Sequence, residues 1–204
     1  MITEYNTIEN TAGPEQIKEK GSRFIAFAFP VSSKDEAEDS VSTLRKKYHD
    51  ATHICYAYRI GEGTETCLRY SDDGEPSGSG GIPILNEIKR KDLFNVLVAV
   101  VRYFGGVKLG TGGLARAFGS AAREAVEKAS IKKIVIVKKI KIQLPHSLIG
   151  EIISLVNQLK LDIISQSYTQ ENALFEIAVP VSKYEDVLTA VKDRSGGRVK
   201  IEIR

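Results

Sequence analysis

The stretch "RYFGGVKLGTGGLARAFGSA", Arg102 to Ala121, holds six of the chain's 17 glycines. Glycine loses more backbone freedom on folding than any other residue, so a cluster of glycines in ordered structure needs a cause. Either the chain bends through conformations closed to side chains, or something comes close to the backbone. The apolar run before the cluster, "LFNVLVAVVRYF", reads as a central strand buried on both faces. After it, Leu114, Ala117, Phe118, Ala121, Ala122, Ala125 and Ala129 fall on one helical stripe, with Arg116, Arg123, Glu124 and Glu127 opposite. The small alanines let such a helix lie close to a sheet.

The flanks supply the neighbouring elements. "SRFIAFAFPV", Ser22 to Val31, is a strand ended by Pro30. Ser33 and Glu36 form a capping box for a helix whose apolar residues are Ala37, Val41, Leu44 and Tyr48. "THICYAYRI" alternates, with Ile54, Tyr56, Tyr58 and Ile60 on one face and His53, Cys55, Ala57 and Arg59 on the other. "ETCLRY" is its hairpin neighbour, turned by Gly61 to Gly63. "SDDGEPSGSGG" is a long loop, and "IPILNEIKRK" a helix.

From about Ile134 the pattern changes. "IVIVKKIKIQL" alternates as a strand interrupted by Lys138; two amphipathic helices and three further strands follow, with a hairpin at Glu171-Asn172. That order is β-α-β-β-α-β, the ferredoxin-like unit. The expected fold class is α+β in two domains, residues 1–136 and 137–204. At 204 residues, 42% apolar and 27% charged, both can bury a core.

Two cysteines, Cys55 and Cys67, make no disulfide framework, and no apolar run is long enough to span a membrane. "MITEYNTIEN" has no signal-peptide character, so a cytoplasmic location is expected. A net charge of +3 limits any nucleic-acid site to a local patch.

The glycine turn is the first candidate site. Amides at a helix start point outward at the positive end of the helix dipole and bind anions. Gly105 and Gly106 bend the chain; Gly110, Thr111, Gly112 and Gly113 present amides; Lys108 and Arg116 add charge. The motif is neither a Walker A loop nor a dinucleotide fingerprint. "LGTGGL" lacks the terminal Lys-Ser/Thr, and no acidic residue follows at the required distance. Tight strand-to-helix packing explains the glycines as well as anion binding does.

The second candidate is the loop carrying Asp72, Asp73, Glu75 and Ser77. Its carboxylates suit a hard cation, or simply cap their own turn. His53, Cys55 and Cys67 are the soft metal ligands, but a fourth ligand is not evident. No nucleophile with a paired base can be picked out, so no catalytic residue is assigned and no cofactor is expected.

Four blocks in order, "KGSRFIAFAFPV", "AYR", "DDGEPSGSGGIPIL" and "NVLVAVVRYFGGVKLGTGGLARAFG", resemble the IMPACT/YigZ family over nearly the whole chain. The resemblance implies a first domain like a small-subunit ribosomal protein domain and domain IV of elongation factor G. It implies a second, ferredoxin-like domain resembling domains III and V of that factor. The RWD domain of the eukaryotic members is not expected here. Those members regulate translation, which points to RNA, the ribosome or a protein partner in translational control, with the chain as a monomer. Lys89, Arg90, Lys91, Arg102, Lys108, Arg116 and Arg123 would supply a phosphate-binding face unless Glu124 and Glu127 pair with the arginines. Tyr103 and Phe104 are expected in the core. The alternative is a metal-assisted enzyme for a phosphorylated or peptide-like small molecule, working between the two loops. A third reading is a regulatory module with a ligand near Lys138.

Overall fold

The computed structural model describes residues 2–61 and 66–203. The predicted turn at Gly61 to Gly63 therefore lies, past Gly61, outside the described residues. The chain divides into two compact units, Met1–Ile134 and Val135–Arg204.

Within the described residues of the first unit, five strands form one antiparallel sheet. In chain order they are β2 (Ala12–Glu19), β3 (Ser22–Pro30), β4 (His53–Ile60), β5 (Cys67–Ser71) and β6 (Val96–Tyr103). The spatial order is β2-β3-β6-β4-β5, which puts β6 at the centre. Helix α1 (Lys34–Lys47) supplies Ala37, Val41 and Leu44 to one face, against Ile25, Phe27, Tyr58 and Val101. Helices α2 (Gly81–Arg90) and α3 (Gly110–Lys128) pack on the other, where Ile84, Ile88, Phe118 and Ala121 meet Phe24, Cys55, Val98 and Val100. Helices on both faces explain why the middle residues of β3, β4 and β6 are apolar and buried on both faces although the sheet is antiparallel. Phe24 and Phe118 meet edge to face at 5.1 Å, which ties α3 to the sheet.

Three features differ from the sequence expectation. Strands β1 (Glu4–Ile8) and β2 carry no strong apolar alternation. β2 is an edge strand, and Pro14 sits in its register shift between Ala12 and Glu15, where a missing amide is tolerated. "IVIVKKIKIQL" is not one strand. It breaks at Ile136 into β7 (Ile131–Val135), which pairs with β1, and β8 (Val137–Pro145). The capping box of α1 is offset: Ser33 Oγ accepts from the Glu36 amide at 3.2 Å, but the Glu36 carboxylate accepts from the amide and hydroxyl of Ser32.

The second unit runs β8, α4 (Ile149–Gln158), β9 (Asp162–Tyr168), β10 (Asn172–Pro180), α5 (Tyr184–Ser195) and β11 (Lys200–Ile203). Its antiparallel sheet has the order β11-β8-β10-β9. Ile140, Ile142, Phe175 and Ile177 on one sheet face meet Ile152, Leu155, Val187 and Val191 of the helices. Gly196 closes α5 in the left-handed conformation, φ 57°.

Candidate functional site

The glycine turn and the 72–81 loop face each other across a cleft of about 400 Å³. The start of β4 contributes Thr52 and His53, and the loop contributes Glu75 and Pro76. The end of β6 contributes Arg102 and Phe104, and the turn and α3 contribute Lys108, Leu109, Gly110, Thr111 and Leu114.

The loop is held from inside by its own carboxylates. Asp72 accepts the amides of Gly78 (2.8 Å), Gly80 (2.9 Å) and Gly81 (2.8 Å). Burial works against its charge, but the three amide bonds outweigh burial and hold its pKa below the usual carboxylate value. Asp73 accepts the Ile54 amide at 2.6 Å and pairs with Arg45 at 2.5 Å. Neither carboxylate lines the cleft, and Ser77 is exposed outside it. Of the predicted cation ligands only Glu75 faces the cavity. Among the described residues no group of three or more His, Cys, Asp or Glu is placed to hold a metal. Asp72 takes the turn-capping role instead, while Asp73 ties the loop to β4 and α1 through the Ile54 amide and Arg45.

The soft-ligand set does not assemble either. Cys55 is buried and its Sγ donates to the Asp72 carbonyl at 3.0 Å; burial raises the thiol pKa. Cys67 is exposed on β5, opposite Ile60 rather than Cys55.

The cleft's charged groups come from three elements. Arg102 Nη1 donates to Glu75 Oε1, and their side chains are only 6% and 3% exposed. Arg102 Nη2 reaches Ser22 Oγ at 3.5 Å, while Nε has no partner. His53 Nδ1 lies 2.6 Å from the Asp73 carbonyl oxygen, so Nδ1 carries the proton and donates. Nε2 then lies 3.8 Å from Glu75 Oε1. Sequence reasoning did not find the Arg102–Glu75 pair. The available signal was one arginine inside an apolar central strand, since a buried arginine requires a partner.

The glycines divide by role. A Cβ on Gly105 would lie 1.9 Å from the Gly21 carbonyl carbon, so this glycine permits close approach of two backbone segments. Gly106 and Gly110 have φ of +85° and +71°, open to glycine and strained for other residues. A Cβ on Gly112 would meet nothing closer than Arg116 Nη1 at 3.6 Å, and Gly113 packs against Leu109. Close backbone approach thus explains Gly105, and positive φ explains Gly106 and Gly110, but neither explains Gly112.

The start of α3 has no side-chain cap and no acidic residue in its first turn. Lys108 precedes it. A cation at the positive end of a helix is the reverse of the arrangement that stabilises one.

The basic residues do not form one free face. Arg102 is buried against Glu75; Arg90 and Arg123 both pair with Glu87, at 2.7 and 3.0 Å. The partner of Arg123 is therefore Glu87 and not Glu124 or Glu127; Glu127 instead takes Arg90, at 3.1 Å. Arg116 is exposed in a separate groove with Arg123 and Glu87. Lys108 is the exposed basic side chain lining the cleft. Phe104 is 47% exposed rather than in the core. Its amide donates to Thr52 Oγ1 at 3.0 Å, beyond the end of β6, which carries the ring out of the sheet. Tyr103 is half-buried and donates to Asp50 at 2.7 Å.

The sequence profile of the Impact N-terminal domain matches residues 20–126. IMPACT family member YvyE of Bacillus subtilis (strain 168) is 33% identical over 88% of this chain and 81% of its own. A crystal structure described as that of a hypothetical protein is 26% identical, with a TM-score of 0.69 over 98% of this chain and 97% of its own. A structure described as that of the two-domain translational regulator Yih1 is 33% identical over 59% of this chain and 48% of its own, with a TM-score of 0.42. The chain belongs to the IMPACT family.

Proposed function

We propose that this member of the IMPACT family is a translation-associated regulatory protein, binding RNA or a ribosomal or protein partner at the mouth of the cleft. Sequence similarity supports the translational part, since Yih1, 33% identical over 59% of this chain, is described as a two-domain translational regulator. One observation carries the binding part: the uncapped, acid-free start of α3 opens onto a cleft shared with Lys108 and the exposed Phe104. Exposed amides with a lysine attract a phosphate, and an exposed ring stacks on a base. The proposal extends to the fold: a first domain like domain IV of elongation factor G and a second, ferredoxin-like one, divided at residues 136 and 137. It places the protein in the cytoplasm as a monomer.

A salt titration of binding to a structured RNA tests the reading. Each phosphate contact contributes about 0.7 to 0.9 to the slope of log affinity against log salt. Lys108→Ala is expected to flatten the slope by about that amount, equally for all sequences, because phosphates carry no base identity. An unchanged slope, or no binding at low salt, removes the RNA partner.

A second reading, enzymatic, is favoured by one feature. His53 is fixed as the Nδ1–H tautomer, with Nε2 toward Glu75 beside a buried Arg102. A positioned imidazole and carboxylate suit general acid–base chemistry on a phosphorylated or peptide-like small molecule. Turnover of phosphoesters or dipeptides by the wild type and not by His53→Gln is the result that would establish it.

A further inference from the structure

We infer that the outer edge of β5 docks an extended segment of a partner protein, added to the sheet as a further strand. The side chains of that segment run apolar, acidic, apolar across Leu68, Arg69 and Tyr70. The inference goes beyond the cleft reading, and β5 shares no residue with the cleft.

The first observation is the backbone. β5 pairs with β4 in unbroken register, from Ile60 opposite Cys67 to Tyr56 opposite Ser71. Among the described residues nothing pairs with its other side. Alternate residues of such a strand turn both main-chain groups outward, and a strand laid alongside satisfies the whole row.

The second is a contrast with the other sheet edges among the described residues. β2 has Pro14 in a register shift and carries Glu15, Lys18 and Glu19. β9 has a register shift opposite Glu176 and Ile177. β11 has four residues, and two of them are Lys200 and Glu202. β1 carries Glu4, and β7 carries Lys132 and Lys133. Charges, proline and bulges are the devices that keep an edge from pairing. β5 has no proline and no bulge, and its one charged side chain, Arg69, is drawn to α1 by Glu38 at 2.7 Å.

The third is what the two faces offer. Leu68 and Tyr70 stand opposite Arg59 and Ala57, on the side of the sheet where α2 packs, and are 45% and 47% exposed. Tyr70 lies against the start of α2, since a Cβ on Gly81 would be 2.9 Å from its Cδ2. The next residue of the helix, Ile82, is exposed as well. An added strand covers this surface with apolar side chains at alternate positions. Arg69 lies on the other side, with α1. There Glu38 is shared between Arg69 at 2.7 Å and Lys34 at 3.7 Å. Two cations meet one carboxylate, so the group keeps a positive charge. An acidic residue facing Arg69 is favoured, because opposite charges on facing strands attract and like charges repel. The same charge disfavours a second copy of the chain. Antiparallel pairing of the whole of β5 with itself sets Arg69 against Arg69.

The test is titration of the isotope-labelled full chain with blocked heptapeptides, read by amide shifts and amide hydrogen exchange. The first probe is Ser-Thr-Val-Glu-Val-Thr-Ser, which presents the same side chains in either strand direction. The second has Lys in place of Glu. The third is the first with its three central residues N-methylated, which removes the donors of a strand. The first probe is expected to shift and protect the amides of β5 and to bind about fivefold more tightly than the second. The third is expected not to bind. Arg69→Glu should reverse the preference between the first two, and Tyr70→Thr should weaken both about threefold. Both positions are exposed, and amide spectra of the variants check their fold.

Equal binding of the first two probes, binding of the N-methylated peptide, shifts centred away from β5, or no binding at millimolar peptide overturns the inference. So does an Arg69→Glu variant that keeps the wild-type preference, or a Tyr70→Thr variant that binds like wild type. Protection of the β5 amides in the free chain that is lost on dilution gives the edge to a second copy and overturns it too. None of these outcomes bears on RNA binding at the cleft, which Lys108→Ala tests separately.

Discussion

Arg102 at the end of β6 and Glu75 in the 72–81 loop form a buried ion pair, 27 residues apart in the chain, on the wall of the candidate cleft. Breaking such a pair leaves one charge buried and unpaired, which costs about 3–5 kcal/mol, whereas replacing both partners by apolar residues is often neutral or stabilising. Glu75→Ala is therefore expected to lose stability in that range. Arg102→Met with Glu75→Leu should recover to within about 1 kcal/mol of wild type. Urea unfolding separates the cases. A double variant as unstable as the single one would mean that the pair serves stability rather than a ligand.

Gly105 and Gly112 are expected to respond oppositely to alanine. At Gly105 the new Cβ would lie 1.9 Å from the Gly21 carbonyl carbon, so backbone must move, at about 3 kcal/mol or more. At Gly112 the new methyl meets only Arg116 Nη1 at 3.6 Å, and alanine favours the helix by up to about 1 kcal/mol. Thermal unfolding of the two variants checks the signs.

Acid should loosen the 72–81 loop before it unfolds the sheet. The folded-state pKa of Asp72 lies below its unfolded value, because three loop amides bond the carboxylate and outweigh its burial. Its contribution is thus complete above the usual carboxylate pKa of about 3.9 and is lost as pH falls through the lower folded value. Asp72→Asn should cost about 2 kcal/mol at neutral pH and flatten the acid limb of stability against pH. Amide exchange at Gly78, Gly80 and Gly81 should rise in the variant. Unchanged exchange would show that the loop is held by other contacts.

The segment 137–204 is expected to fold alone. Its core, from Ile140 to Val191, lies wholly within that segment. Denaturant unfolding of the fragment should be cooperative, with a modest stability suited to its size. A non-cooperative transition would show that it depends on the first unit.

Much of the architecture is legible in the chain. Alternation in β4 and the stripe of α3 follow from spacing alone, because each side chain's face is set by local geometry. The capping of α1 is legible to within one residue, since Ser32 and Ser33 offer the same hydroxyl one position apart. Strands β1 and β2 are not legible, as pairing rather than apolar content makes them strands.

The sequence by itself determined the two-faced burial of β6, the glycine turn, and which residues stand at the start of α3. Those are properties of neighbours in the chain, where steric freedom and periodicity act. Only the tertiary structure decided which charges remain free. It turned Asp72 inward to three amides, paired Arg123 with Glu87, buried Arg102 against Glu75, and left Lys108 and Phe104 at the open cleft. The two ion pairs among those outcomes join residues 36 and 27 apart in the chain, Arg123 with Glu87 and Arg102 with Glu75. Ion pairing and burial are set by distance in space, and no local pattern encodes which carboxylate a given arginine will meet.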